Sequence, residues 1–193
     1  MIRLPARHAI TALTGLDRFP DVTIASGLDE GAGAAFSPCE RYRYALWRVW
    51  NPDLPLWTFG MLNPSTADHL KLDPTLTRCA ARATAGGAGG MVIWNLFAWR
   101  ATDPADMKRA ADPVGTANDA IIRLLVSLAS LNVAGWGAHG THREREHRVR
   151  AMLAGEGAKL HALAFTATGQ PRHPLYLKAD LEPQPWAYWG KGS

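Results

Sequence analysis

Apolar positions in this chain fall into two kinds of stretch, and their alternation predicts the architecture. Four stretches are short and almost continuously apolar: LWTFGML (56–62), GMVIWNLFAW (90–99), NVAGWG (132–137) and KLHALAF (159–165). Bounded by turn residues, they read as strands buried on both faces. The segments between them carry apolar residues at helical spacing. One starts at Asp73-Pro74, an N-cap followed by proline at the first helical position, and stops at Gly86-Gly87. NDAIIRLLVSLASL (118–131) is amphipathic, and HREREHRVRAMLAGEG (142–157) turns Val149, Met152 and Leu153 inward before ending in glycine. From Leu56 onward the order is strand, helix, strand, helix, strand, helix, strand. Such alternation predicts right-handed crossovers and a mostly parallel four-stranded sheet in a three-layer α/β/α sandwich.

Upstream the pattern changes. ERYRYALWRVW (40–50) interleaves rings and Leu46 with Arg41, Arg43 and Arg48, which predicts a strand whose arginines are solvated or touch phosphate. NPDLP (51–55) is a turn, so 40–50 is expected to form an antiparallel hairpin with 56–62. Residues 1–35 carry little pattern: DVTIAS (21–26) suggests a short strand, and GLDEGAGAAFSPC (27–39) a loop. Residues 181–193 form a Pro/Trp-rich tail expected to lie across the body. No linker or repeat interrupts 1–193, which reads as a single α/β domain.

Composition changes this picture little. A chain of 193 residues with 47% apolar and 20% charged positions buries a core without staples. The net charge of +4 and pI near 9.3 permit a nucleic acid or phosphate partner without requiring one. Cys39 and Cys79 make no disulfide framework or zinc pattern, so a reduced, cytoplasmic setting is the default. The N-terminus lacks a signal-peptide core and no apolar run approaches membrane-spanning length, so a soluble protein without membrane association is expected.

Chemistry is sought where the carboxyl ends of parallel strands open onto one edge. Asn63-Pro64-Ser65 follows the first strand, Asn95 stands near the end of the second, Gly137 closes the third, and His173 lies in the loop after the fourth. A primary amide inside VIWNLF either ties a loop to the sheet or presents a donor and acceptor side by side, as a nucleobase edge requires. Ser65 and Asp68 have capping spacing, which alone would explain them. His173, held between Pro171 and Pro174, is a candidate proton donor or oxyanion stabiliser. His139, His142 and His147 match no metal signature, so no metal is assigned. No phosphate loop, G-x-S-x-G elbow or dinucleotide fingerprint occurs, and no cofactor is implied.

The segments SPCERYRYALWRVW, MLNPSTAD, NLFAWRATDP, PVGTAND and HPLYL resemble the bacterial family called domain of unknown function 1643, over about Ser37 to Asp180. That resemblance implies no activity. The order GMLNPS, VIWNLF, RHPL is also similar to the motif order of the uracil-DNA glycosylase superfamily. The likeness implies a glycosylase-like fold, with Asn63 beside an attacking water, Asn95 on the base edge and His173 at the base oxygen. Pro64, Ser65, Asp68, Phe97 and Gly137 are read as the substrate-contacting neighbours. Gly60 stands one residue further from Asn63 than in that superfamily, and HPL replaces its His-Pro-Ser. The expected partner is DNA or a nucleotide, and the expected reaction, if the chain is catalytic, is hydrolysis of an N-glycosidic bond. Alternatives are a non-catalytic nucleotide or modified-base binder, or a module that docks a partner through Trp186 and Trp189.

Overall fold

The computed structural model describes residues 5–27, 31–66, 70–71 and 73–186. One eight-stranded sheet runs through them. Its strands in chain order are β1 (Thr23–Ser26), β2 (Ala32–Phe36), β3 (Arg43–Val49), β4 (Leu56–Met61), β5 (Gly90–Asn95), β6 (Leu131–Ala134), β7 (Leu160–Ala162) and β8 (Gln184–Pro185). Laterally they run β1-β2-β3-β5-β4-β6-β7-β8. Pairing is parallel from β5 through β4 and β6 to β7, and antiparallel from β1 to β5 and at β8. The sheet is therefore mixed, and larger than the four strands expected.

Every residue of β4 and β5 is buried, as their unbroken apolar runs require. Helix α2 (Pro74–Ala85) sets Leu76, Cys79 and Ala83 against Phe59, Met61, Ile93 and Val133 on one face. On the other, α1 (Arg7–Thr14), α4 (Asn118–Leu128) and α5 (Arg145–Gly155) cover Val92, Trp94 and Ala134 with Leu13, Ile121, Leu125 and Val149. Each such fully buried aliphatic side chain contributes about 1.5–3 kcal/mol relative to exposure. A short α3 (Pro104–Arg109) lies in the loop between β5 and α4. Helix α2 begins as its sequence dictates: the Asp73 carboxylate accepts from the Leu76 N–H at 2.8 Å and Pro74 needs no amide partner.

Three expectations fail for identifiable reasons. Strands β3 and β4 do not pair as a hairpin. Strand β5 lies between them, with Ile93 opposite Leu46 on one side and Phe59 on the other. The turn at 50–55 instead wraps the start of β5: Trp50 and Asn51 donate to the Gly89 carbonyl, and Gly89 donates to that of Pro55. A wholly apolar strand gains most from a place between two neighbours, and sequence proximity does not outweigh that. Part of the predicted loop 27–39 is β2, whose residues are all buried. Its small side chains admit the rings of β3, as at Gly33, where a Cβ would stand 2.3 Å from the Trp47 ring. Their low hydrophobicity therefore reflects tight packing and not exposure. The chain before residue 35 also supplies α1, which buries Ala9 and Leu13.

Strands β6 and β7 are shorter than predicted, and the tail returns to the sheet as β8, with Trp186 set 5.5 Å from Trp136. Trp189 lies outside the described residues. No helix among the described residues is long and apolar enough to cross a membrane.

Candidate ligand site at the carboxyl edge of the sheet

Parallel β4, β5 and β6 end side by side, with Met61 in register with Asn95. The chain leaving each end bounds a cavity of about 500 Å³. Asn63, Pro64 and Ser65 line it from β4, Asn95 from β5, Trp136 and Gly137 from β6, and His173 from the loop after β7. The start of α2, with Asp73, Thr75 and Leu76, forms another wall. Six of the eight residues singled out in the sequence thus share one cavity. Phe97 does not join them: it is fully buried in the core, where its ring packs 5.7 Å from that of His142. It falls two residues beyond the end of β5, which stops at Asn95 instead of running on to Trp99. Asp68 lies outside the described residues, and with it the proposed Ser65–Asp68 cap.

Asn63 is held by both amide hydrogens. Its Nδ2 donates to the Ala101 carbonyl at 2.8 Å and to that of Pro64 at 3.2 Å. Two carbonyls facing one nitrogen fix the amide orientation and leave Oδ1 as the group able to accept from a ligand or water. Asn95 is 2% exposed, and its side-chain amide finds no hydrogen-bond partner among the described residues. Its backbone is anchored from below: Asn118 Nδ2 donates to the carbonyls of Asn95 and Leu96, each at 3.1 Å. The Arg145 Nε adds a 2.7 Å bond to Leu96, and its guanidinium pairs with Asp119. Buried Asn118 and Arg145 therefore clamp the end of β5 and set where Asn95 points.

His173 opens the short turn Pro174–Tyr176, and its Nδ1 accepts from the Leu175 N–H at 3.4 Å. A neutral ring with an accepting Nδ1 carries its proton on Nε2. Burial pushes the His173 pKa below the ordinary value, opposed by the charge of Asp73, so the neutral form is favoured near pH 7. Pro174 can approach because residue 135 is glycine: a Cβ there would stand 2.8 Å from the proline Cδ. That close approach fastens the His-Pro segment to the end of β6.

One cavity-lining residue has a fate the alternation did not predict. Arg43 is 5% exposed instead of solvated. The pairing of β2 with β3 shifts at this point, with Ala45 opposite Ala35 but Arg43 opposite Phe36. Tyr44 is thus an extra residue, and it shares one face with Ala45 in the core over α4. The bulge turns Arg43 onto the opposite face, with Phe36 and the cavity. Burial chiefly, and the nearby Arg100 next, push its pKa down to about 10, while Asp73 acts in the other direction. The group remains a cation at neutral pH. The signal for it in the sequence was the interleaving of Arg43 with the rings of 40–50, which left solvent and phosphate contact both open.

The cavity so assembled presents a cation, a buried amide, hydroxyls from Ser65 and Thr102, an imidazole N–H and one accepting amide oxygen. Asp73 is the one carboxylate among its described lining residues, and its Oδ1 is engaged as the α2 cap. In open α/β sheets the crevice at the carboxyl ends of the parallel strands is the usual place for a ligand. The chain belongs to the family described as protein of unknown function (DUF1643), whose model matches residues 43–175. No curated protein and no solved structure matches it.

Proposed function

We propose that the crevice binds a nucleobase-bearing ligand, and that hydrolysis of an N-glycosidic bond is the reaction its side chains suit. The carrying observation is that Asn63, Asn95 and His173, far apart in sequence, line one cavity, the first two with an amide oxygen and an amide still available. In this reading the Asn95 amide pairs with a base edge, giving and accepting one hydrogen bond. Asn63 Oδ1 accepts a hydrogen bond from a water and aims its lone pair at the sugar carbon. As the carbon–nitrogen bond breaks, its electron pair goes to the base. His173 Nε2–H donates to the base oxygen where that charge gathers. The water supplies hydroxide to the sugar carbon and, through solvent, a proton to the base. The reading is supported by the order of the motifs around Asn63, Asn95 and His173, which is similar to that of the uracil-DNA glycosylase superfamily.

One observation favours binding without hydrolysis. An amide oxygen cannot take the proton from water, and the cavity's described carboxylate, Asp73, already caps α2 through Oδ1. The test is to incubate the folded protein with uracil- and mismatch-containing oligonucleotides, single- and double-stranded, and to run a thermal-shift panel of bases, nucleosides and nucleotides. Abasic product lost in Asn63→Ala and His173→Ala supports hydrolysis. Ligand shifts without product support the binder. Shifts unchanged by Asn95→Ala and His173→Ala would place the ligand elsewhere and overturn both.

A further inference from the structure

We propose that Arg43 is an anion-binding residue of this crevice, and that the ligand is a nucleotide held by its phosphate. The inference extends the nucleobase reading above, but the anion site stands on separate observations. The first is the contrast among the buried arginines. Arg82 gives its guanidinium to the carbonyls of Leu177, Lys178, Ala179 and Leu181. Arg145 serves Leu96 and Asp119. Arg43 is as buried as either. Yet its side chain has no hydrogen bond or ion pair among the described residues; its Nε lacks a partner as that of Arg82 does, so the contrast lies in the terminal nitrogens. Asp73, which lines the same cavity, acts on Arg43 through space but forms no ion pair with it, and a buried charge without a hydrogen-bonded partner is costly unless a ligand completes it.

The second observation is direction. The β2–β3 bulge turns Arg43 away from the core over α4 and toward the cavity that Asn95, Ser65 and His173 also line. The third is what surrounds it. Arg100 adds a second positive charge, close enough to act on Arg43, while its own terminal nitrogens are occupied by the carbonyls of Glu40 and Thr66. The hydroxyls of Ser65, Thr75 and Thr102 line the same space. A guanidinium fork with neighbouring hydroxyl donors matches the several acceptor oxygens of a phosphate. Strand order places Arg43 on β3, two strands from the chain end that carries Asn63 and beside the one that carries Asn95. A base over Asn95 and a phosphate on Arg43 therefore fit one small ligand.

The test measures binding to the full chain by calorimetry and thermal shift. The probes are inorganic phosphate, ribose 5-phosphate, acetate, the four common nucleosides and their 5′-monophosphates. The variants are Arg43→Met, Arg43→Lys and Asn95→Ala. Monophosphates are expected to bind at least tenfold tighter than nucleosides. That advantage should vanish in Arg43→Met, weaken in Arg43→Lys and persist in Asn95→Ala. The unliganded Arg43→Met protein is expected to melt no lower than the parent, since no partner is left unpaired; a lower melting point with unchanged ligand preference would make Arg43 structural and overturn the proposal. Equal binding of nucleosides and monophosphates, acetate matching phosphate, or no binding of any probe would overturn it as well. Arg43-dependent binding of phosphate and ribose 5-phosphate without any base preference would keep the anion site and sink the nucleobase reading alone.

Discussion

The clamp beneath Asn95 makes a quantitative prediction. Asn118→Asp preserves shape but replaces the Nδ2 that feeds two carbonyls with an oxygen, at a position with no solvent exposure. A carboxylate facing two carbonyl oxygens is repelled, so the folded variant should hold the introduced carboxyl group protonated. With an unfolded pKa near 3.9 and a folded pKa above about 7, that proton costs about 1.36 kcal/mol for each pH unit above 3.9, or about 4 kcal/mol at pH 7. A carboxylic acid has one hydrogen to give where the amide gave two, which adds about 1 kcal/mol. The sum is about 5 kcal/mol at pH 7, falling to about 1–2 kcal/mol at pH 4. The sign follows from proton counting: above pH 3.9 the folded variant binds the proton and the unfolded chain does not, so stability falls as pH rises. Urea denaturation of parent and variant at pH 4, 5.5 and 7 reads the difference directly, and near pH 7 the melting point should drop by roughly 10–20 °C. A loss that is the same at pH 4 and pH 7 would refute the reasoning, because it would mean that Arg145 neutralises an ionised carboxylate at this position.

Three further outcomes are expected. Gly60→Ala would set a Cβ 2.4 Å from the Trp94 ring near the end of β4, so a loss of about 1–3 kcal/mol in denaturant stability is expected; no loss would show that the ring moves freely. Exposed Cys39, whose thiol pKa is lowered by the Ser37 hydroxyl and then by Arg41, should react with a thiol reagent in the native state. Cys79, buried and pushed up to about 12, should react only after unfolding, and two fast thiols in native protein would contradict this. Burial lowers the pKa of His142, His161 and His173, so the unfolded chain binds protons more readily. Stability should therefore be retained above about pH 6.5 and fall as pH decreases below it; NMR titration of the three rings, finding any of them above about 6.5, would contradict its share.

Much of the candidate crevice was legible in the chain because strand ends are written locally. An apolar run that stops at Asn63 or Asn95 ends its strand near there, and parallel order brings such ends to one edge. The Asp73-Pro74 start was equally local, written in its cap and its proline. Phe97 shows the limit of that reading. An aromatic residue in the same motif as Asn95 looks like a neighbour of the ligand, yet the strand ends at Asn95 and the ring turns into the core.

What the sequence determined by itself was the helix and strand character from Leu56 onward, where apolar period and capping residues agree. Tertiary structure alone decided the rest. It placed β5 between β3 and β4, because a strand apolar along its length is buried best with a partner on each side. It made β2 out of small residues, whose value lies in what packs over them. And it put one extra residue into β3, which reversed the face of Arg43. Side chains in a strand alternate with a period of two, so a single inserted residue moves an arginine from the core face over α4 to the wall of the cavity.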